Sequence, residues 1–228
     1  MSASSLVARS RLAVLLACLF AGMYTAVSDE AGIVLSERLL EAAEREYGPA
    51  AKSRLTAWSQ LVASGRQGTE REKLELVNDF FNQIPFVSDI EHWGREDYWA
   101  TPSEMLASNG GDCEDFSISK YFTLLALGVP MNRLRITYVK AKNWNPVNQA
   151  HMVLTYYPSP SAVPLVLDNL IPEIKPATER SDLLPVYSFN GSGLWLAKVR
   201  GTGKAVAGGS GNISLWRDLT ARMGKELK

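Results

Sequence analysis

The stretch that decides the fold is NGGDCEDFSISKYFTLLALGVP, residues 109–130. Asp112 is a good N-cap for a helix, Gly128 favours a helix end, and Pro130 cannot continue one. The residues between them are mostly apolar, so we expect a helix that lies deep in the core. Cys113 would lie in its first turn, where unpaired backbone N–H groups and the helix dipole favour a thiolate. The stretch therefore predicts a central helix that begins at a candidate nucleophile.

The segments before this stretch have a helical pattern. Apolar residues recur at helical spacing over residues 33–64, which fits two helices or one broken helix, and again over residues 70–83. The sequence TERE at residues 69–72 is a capping box, which marks the start of the second segment. Residues 86–100 have no clear period and combine Trp and Tyr with acidic residues. We expect them to form an ordered loop over the core.

The pattern changes to strands after Pro130. Polar and apolar residues alternate at residues 133–141 and 149–157, and further short strands are predicted at residues 163–170, 186–189 and 194–199. Helices followed by sequential strands predict an α+β fold in one domain, with the nucleophile helix packed on an antiparallel sheet. The glycine-rich segment 201–211 is expected to be mobile, and Asn212 is a candidate cap for a final amphipathic helix.

The N-terminus has the pattern of a secretory signal. Two arginines precede an apolar run from Leu12 to about Met23, and small residues follow at 26–28. We therefore predict a signal peptide at residues 1–28 and one mature domain at residues 29–228. Cleavage would remove Cys18 and leave Cys113 as the single cysteine. A lone thiol in an oxidising compartment suggests a reactive residue or an intermolecular disulfide, and the alternative is an inert buried cysteine.

The charge of the chain argues against one class of partner. The 228 residues include 24 basic and 24 acidic side chains, so the formal net charge is zero. A protein that binds nucleic acid usually has a basic surface, and this balance provides no sign of one. We expect no nucleic-acid partner.

A thiolate nucleophile needs a base, and the base needs a group that orients it. Of the two histidines, His151 begins an alternating strand, whereas His92 lies in the irregular segment, so we favour His151. Asp168 ends the apolar run PLVL, and a hairpin between the two strands would bring it beside His151. The alternatives are a core histidine bonded to backbone and an aspartate that only ends a strand.

Three acidic residues surround the candidate nucleophile. Asp112, Glu114 and Asp115 are favourable near a helix N-terminus, but they would also repel a thiolate on Cys113 and raise its pKa. A bound hard cation would resolve this conflict, and oxygen-rich ligands favour calcium. The spacing is not that of an EF-hand, so the residues alone leave two possibilities open: a calcium site, or capping acids in contact with solvent.

At these positions the chain resembles a known family. The motifs GDCEDF at residues 111–116, AHMVL at 150–154 and LVLDN at 165–169 resemble those of the bacterial transglutaminase-like cysteine proteinases, specifically their LapG type. The similarity covers residues 76–195. The resemblance implies a papain-like, transglutaminase-like fold and a calcium-dependent cysteine endopeptidase of the periplasm.

The resemblance also implies roles and partners. The implied roles are nucleophile for Cys113, base for His151, orienting acid for Asp168, and calcium ligands for Asp112, Glu114 and Asp115. The implied substrate is a large surface adhesin, cut near its N-terminus at a pair of alanines, which releases cells from a biofilm. The implied inhibitor is the periplasmic domain of an inner-membrane cyclic-di-GMP receptor.

Other functions would use the same residues. A transglutaminase would pass the acyl group to an amine instead of water, and a cell-wall amidase would act on peptidoglycan with the same triad. A non-catalytic, calcium-dependent adaptor would keep the fold only as a binding surface. A thiol that alkylates no faster than a free cysteine would favour that last possibility.

Overall fold

The predicted central helix is α6, Cys113–Ala126, and it lies in the core of the computed structural model. Phe116, Ile118, Tyr121 and Leu124 are all buried, as the apolar run predicts. The structure describes residues 33–142, 149–197 and 204–226; the predicted signal peptide lies outside them. The helix contacts both α3 and the sheet. Its small polar surface is consistent with this packing.

Six further α-helices accompany α6 in the residues that the structure describes. They are α1 Glu37–Tyr47, α2 Pro49–Gly65, α3 Glu70–Phe81, α4 Asp89–His92, α5 Pro102–Ser108 and α7 Ser214–Glu226. Residues 33–64 therefore contain two helices, with Gly48 between them at a φ of 84° that glycine adopts readily. Both side-chain bonds of the capping box at Thr69 and Glu72 are formed.

Within the described part of the chain, seven strands form one antiparallel sheet in the order β4-β3-β2-β1-β5-β6-β7. They are β1 Leu134–Ala141, β2 Gln149–Tyr156, β3 Leu165–Leu167, β4 Lys175–Pro176, β5 Leu183–Asn190, β6 Gly193–Leu196 and β7 Lys204–Ala205. β2 and β3 pair as a hairpin, with Leu154 opposite Leu167. The α+β prediction and the predicted hairpin are confirmed.

The two faces of the sheet have different neighbours. Met152, Leu154 and Tyr156 of β2 belong to the main core with the helices, whereas Val153 belongs to a smaller cluster with Val166 of β3. This alternation follows from the pleat, which directs successive side chains to opposite faces. The N-terminal end of α6 lies at the start of β2, and this junction is the region of the candidate site.

Several sequence predictions were wrong in detail. Residues 86–100 are not entirely loop, because they contain the single-turn helix α4, which is closed by the backbone N–H of His92 on the Ser88 carbonyl at 2.8 Å. The third strand is shorter than residues 163–170 and ends before Asp168.

The glycine-rich region contains short regular elements. Its described part, residues 204–211, includes β7 and the start of a 3-10 turn at Gly209–Asn212, whereas residues 201–203 lie outside the described ranges. The final helix begins at Ser214, and the Asn212 side chain donates instead to the Ala207 carbonyl at 2.9 Å. In the part of the chain that the structure describes, no helix combines the length and apolar character needed to cross a membrane.

Candidate active site

Cys113 is the first residue of α6, is half-buried, and forms no disulfide within the described ranges. Its Sγ donates to Glu114 Oε2 at 3.0 Å and accepts from the backbone N–H of Met152. Burial and the nearby Glu114 and Asp112 carboxylates raise the pKa of the thiol well above its ordinary value. The helix N-terminus alone therefore does not stabilise a thiolate here, because burial and the acids have the larger effect.

His151 and Asp168 meet at the other side of this junction. The His151 Nε2–H donates to Asp168 Oδ1 at 2.9 Å, and the two residues are 4% and 1% exposed. The hairpin explains the contact, because its register brings the start of β2 beside the residue that follows β3. Since Nε2 is engaged, Nδ1 is the ring nitrogen that remains for proton transfer.

Asp168 is held by several buried groups. Its Oδ2 accepts from Arg180 Nη2 at 2.7 Å, and its Oδ1 also accepts from the Leu170 N–H at 3.1 Å. Burial alone would raise the pKa of Asp168, but the hydrogen bond and charge of His151, the Leu170 N–H and Arg180 together lower it to about 2. The carboxylate therefore stays ionised at neutral pH.

The backbone carbonyl of Asp168 is also fixed. It accepts from Lys120 Nζ at 3.1 Å and from Asn82 Nδ2 at 3.0 Å. Lys120 is on α6, two turns after Cys113, so one helix contacts both the nucleophile region and the loop of the acid. Sequence analysis missed Lys120, and the available signal was a single cation inside an otherwise apolar helix.

The three predicted triad residues lie at one end of the sheet, but they are not all in contact. The sulfur of Cys113 meets β2 at Met152, the residue next to His151. Within the described ranges, the side-chain hydrogen bond of the sulfur is to Glu114, and none joins it to the imidazole. The other histidine is elsewhere, because His92 Nε2 bonds with Ser108 Oγ at 2.8 Å and its ring lies against Gly110.

The acidic residues form a larger cluster than the sequence indicated. Single oxygens of Asp89, Asp112 and Asp115 lie within 4.8 Å of one another, and so do those of Asp89, Asp97 and Glu114. Sequence analysis predicted Asp112, Glu114 and Asp115 but missed Asp89 and Asp97. The sequence signal for Asp89 and Asp97 was the high density of acidic residues in 86–100. That segment has no period that indicates which side chains turn inward.

The cluster contains buried carboxylate oxygens without partners. Asp89 Oδ2 accepts from the Tyr98 N–H at 2.6 Å, but Asp89 Oδ1 and Asp112 Oδ1 are buried and accept no hydrogen bond from the part of the chain that the structure describes. Burial, with Glu114 and Asp89 nearby, raises the pKa of Asp112 to about 9. Burial and Asp112 raise that of Asp115 well above its ordinary value. Unpaired buried carboxylates are costly, and an all-oxygen donor set of this kind fits a hard divalent cation.

Two glycines allow this loop to approach its neighbours closely. A Cβ on Gly111 would lie 2.7 Å from Asp115 Oδ2, and one on Gly110 would lie 2.8 Å from the His92 ring. Asp115 uses its position to accept from the Ala100 N–H at 2.7 Å and from the Asp112 N–H at 3.3 Å. Asp115 therefore connects the start of α6 to the segment that contains Asp89.

The chain is similar to a known protein family and to solved structures. A family model described as bacterial transglutaminase-like cysteine proteinase matches residues 56–190. LapG of Legionella pneumophila is 44% identical, with a TM-score of 0.70 over 85% of this chain and 99% of that one. An EGTA-treated form of the same protein gives a TM-score of 0.71 at 44% identity, over 85% of this chain and 100% of that one. Its calcium-bound form gives 0.69 at 44% identity, over 83% and 99%. No curated protein sequence matches the chain.

Proposed function

The chain belongs to the bacterial transglutaminase-like cysteine proteinases and is a cysteine peptidase, and we propose that it is a calcium-dependent endopeptidase with Cys113, His151 and Asp168 as its catalytic triad. The observation that carries the proposal is the buried contact between His151 Nε2 and Asp168 Oδ1, beside the helix that begins at Cys113.

The proposed reaction is acyl transfer to water. His151 Nδ1 takes the proton of the Cys113 thiol, and the sulfur attacks the carbonyl carbon of the scissile peptide bond. Backbone N–H groups at the start of α6, that of Cys113 among them, stabilise the oxyanion. His151 then gives its proton to the leaving amine, and water hydrolyses the thioester with the imidazole acting again as base.

Asp168 supports each of these proton transfers. Because its pKa is about 2, it remains an anion while His151 gains and loses a proton. It keeps the Nε2–H of His151 in a fixed hydrogen bond, which leaves Nδ1 available to the thiol. It also stabilises the imidazolium that forms after the cysteine loses its proton.

We propose that calcium is held by Asp89, Asp112 and Asp115, with Glu114 and Asp97 beside them. The buried, unpartnered oxygens of Asp89 and Asp112 support this assignment, and so does the calcium-bound form of LapG of Legionella pneumophila. Bound calcium would neutralise carboxylates that otherwise raise the pKa of the thiol.

The proposed biological role follows from the resemblance to the LapG type. The substrate is a large surface adhesin, cut near its N-terminus at a pair of alanines, and the cut releases cells from a biofilm. The enzyme acts in the periplasm after removal of residues 1–28. The periplasmic domain of an inner-membrane cyclic-di-GMP receptor binds and inhibits it. The 44% identity to LapG and the signal-like N-terminus support this role.

A cleavage assay tests the proposal. The mature protein, residues 29–228, is incubated with the N-terminal fragment of the largest adhesin of the same genome, in calcium or in EGTA. Cys113→Ala is the matched control, because it removes only the sulfur. We expect one cut in calcium, lost in EGTA and in the variant. Persistent cleavage by Cys113→Ala would disprove the nucleophile, and incorporation of an amine without cleavage would assign transglutaminase chemistry instead.

A further inference from the structure

The side of Asp168 that faces away from His151 is occupied by Arg180. One carboxylate oxygen, Oδ1, accepts from the imidazole, and the other, Oδ2, accepts from Arg180 Nη2 at 2.7 Å. The side chains of Arg180 and Asp168 are 2% and 0% exposed, so solvent does not screen the contact. The carboxylate is thus held between two side chains that come from different segments of the chain.

Arg180 is itself held by Asp182. Its Nε and Nη2 donate to the two oxygens of Asp182 at 3.0 and 2.9 Å, which is a bidentate contact along one edge of the guanidinium. This contact fixes the plane of the group, because a guanidinium and a carboxylate pair in a single plane. Nη2 has two hydrogens, so one serves Asp182 and the other is left for Asp168.

A purely structural ion pair does not explain all of this arrangement. Arg180 Nη1 is buried and has no hydrogen-bond partner among the described residues, which is an unfavourable state for a charged donor. The guanidinium therefore satisfies the two aspartates while one of its own donors stays unpaired. Buried polar groups with an unmet partner are uncommon in native proteins, and each needs an explanation.

We propose that Arg180, oriented by Asp182, is a positioning residue that sets the Asp168 carboxylate for its hydrogen bond to His151. Arg180 does not contact the reacting atoms and acts through Asp168. Because Nη2 of the oriented guanidinium fixes Asp168 Oδ2, Oδ1 keeps its direction toward Nε2, and His151 keeps the tautomer with a free Nδ1. The inference rests on the proposed catalytic roles of His151 and Asp168.

The test compares two substitutions at Arg180 in the mature protein. Arg180→Lys keeps a cation but loses the planar fork, and Arg180→Met removes the charge. We expect kcat to fall by about tenfold or more for Arg180→Lys and on the order of 100-fold for Arg180→Met, because small misplacements of catalytic groups have effects of that size. KM for the adhesin fragment should stay within about twofold, since Arg180 is buried away from the substrate.

A spectroscopic readout separates positioning from stability. The chain has two histidines, so ¹⁵N signals of the imidazoles are few, and His151→Ala identifies those of His151. At about pH 8, where an ordinary histidine is neutral, the wild-type His151 should carry its proton on Nε2. Both Arg180 variants should show a mixture with the Nδ1–H tautomer. Arg133→Met, which breaks a partly buried ion pair with Glu70, is the control for the loss of an arginine.

Each outcome decides the inference. Wild-type kcat in whichever Arg180 variant folds would overturn it, and if Arg180→Met does not fold, Arg180→Lys decides. A lower kcat with an unchanged tautomer would assign Arg180 to stability alone and also overturn it. Asp168→Asn distinguishes a failure of this inference from a failure of the proposed triad. If Asp168→Asn has a lower kcat and the Arg180 variants do not, only this inference fails. If Asp168→Asn itself has full activity, the proposed triad fails.

Discussion

Asp89→Asn should change the stability of the protein in opposite directions with and without calcium. Asp89 is 3% exposed, and its Oδ1 is buried beside Asp112 and Asp115 with no hydrogen-bond partner. Burial is the largest cause that raises its pKa, so the anion is disfavoured at this position. An asparagine keeps an oxygen for the Tyr98 N–H and replaces the unpaired oxygen with a donor that can reach neighbouring carboxylates.

The two effects can be compared in magnitude. A buried polar atom without a partner costs about 1–3 kcal/mol, so in EGTA the substitution should stabilise the fold by about 1 kcal/mol. For a domain of this size that is a rise in Tm of about 2–4 °C. At a calcium concentration about 1,000 times Kd, the wild type gains about 4 kcal/mol. A loss of affinity of about 100-fold would leave about 1.4 kcal/mol of that gain. The variant should then be less stable than the wild type in calcium by about 1–2 kcal/mol.

Thermal unfolding in EGTA and in calcium measures both signs on the same samples. Glu75→Gln is the matched control, because it removes an exposed carboxylate that pairs with Arg71 on the surface of α3. That control should respond to calcium as the wild type does. If Asp89→Asn and the wild type gain the same Tm on addition of calcium, Asp89 is not a ligand. If the variant is less stable in EGTA as well, the account of the unpaired oxygen is wrong.

Three further predictions concern the triad and its loop. Asp168→Asn should lower kcat by roughly 10²–10⁴-fold with little change in KM, because an amide no longer holds His151 in the required tautomer. Single-turnover kinetics measures the decrease in rate. The pKa of Asp168 is lowered to about 2, so its contribution to stability is present above its ordinary pKa and is lost as pH falls toward 2. Urea unfolding at pH 5 and pH 2 should show the wild type losing about 2 kcal/mol more than Asp168→Asn over that interval; equal losses would contradict this. Gly111→Ala should weaken calcium binding measured by calorimetry, because its Cβ would lie 2.7 Å from Asp115 Oδ2.

The parts of the site that could be predicted depend on local pattern. The start of α6 at Cys113 follows from a cap, an apolar run and a terminating Gly-x-Pro, all within one segment. The meeting of His151 and Asp168 follows from the pairing of two strands that are consecutive in the sequence, since antiparallel register then determines which ends are adjacent. In both cases the contact is short-range in sequence or is set by periodicity.

The parts that could not be predicted depend on tertiary contacts. Asp89 reaches the start of α6 because Phe86 bridges to Gly111 and because α4 turns the chain inward, and no period in residues 86–100 indicates this. Arg180 reaches Asp168 from the end of the 3-10 turn Ala177–Glu179, between β4 and β5, where no repeating pattern specifies the direction of a side chain. For the thiol of Cys113 the difficulty is different: the helix N-terminus favours the thiolate and the acids oppose it, and the sequence alone does not show the relative sizes of the two effects.

Those sizes suggest how the nucleophile is controlled. A helix N-terminus stabilises an anion by about 0.3–1 kcal/mol, whereas two unit charges about 4 Å apart interact by about 4 kcal/mol at an effective dielectric constant of 20. The Cys113 Sγ lies 3.0 Å from Glu114 Oε2, and Asp112 is the preceding residue. The effect of these carboxylates therefore outweighs that of the helix N-terminus, and the thiol keeps its proton. A divalent cation bound among the same acids would offset much of their negative charge. If the proposed calcium site is correct, the residues that repel the thiolate would be the residues that make its formation depend on calcium.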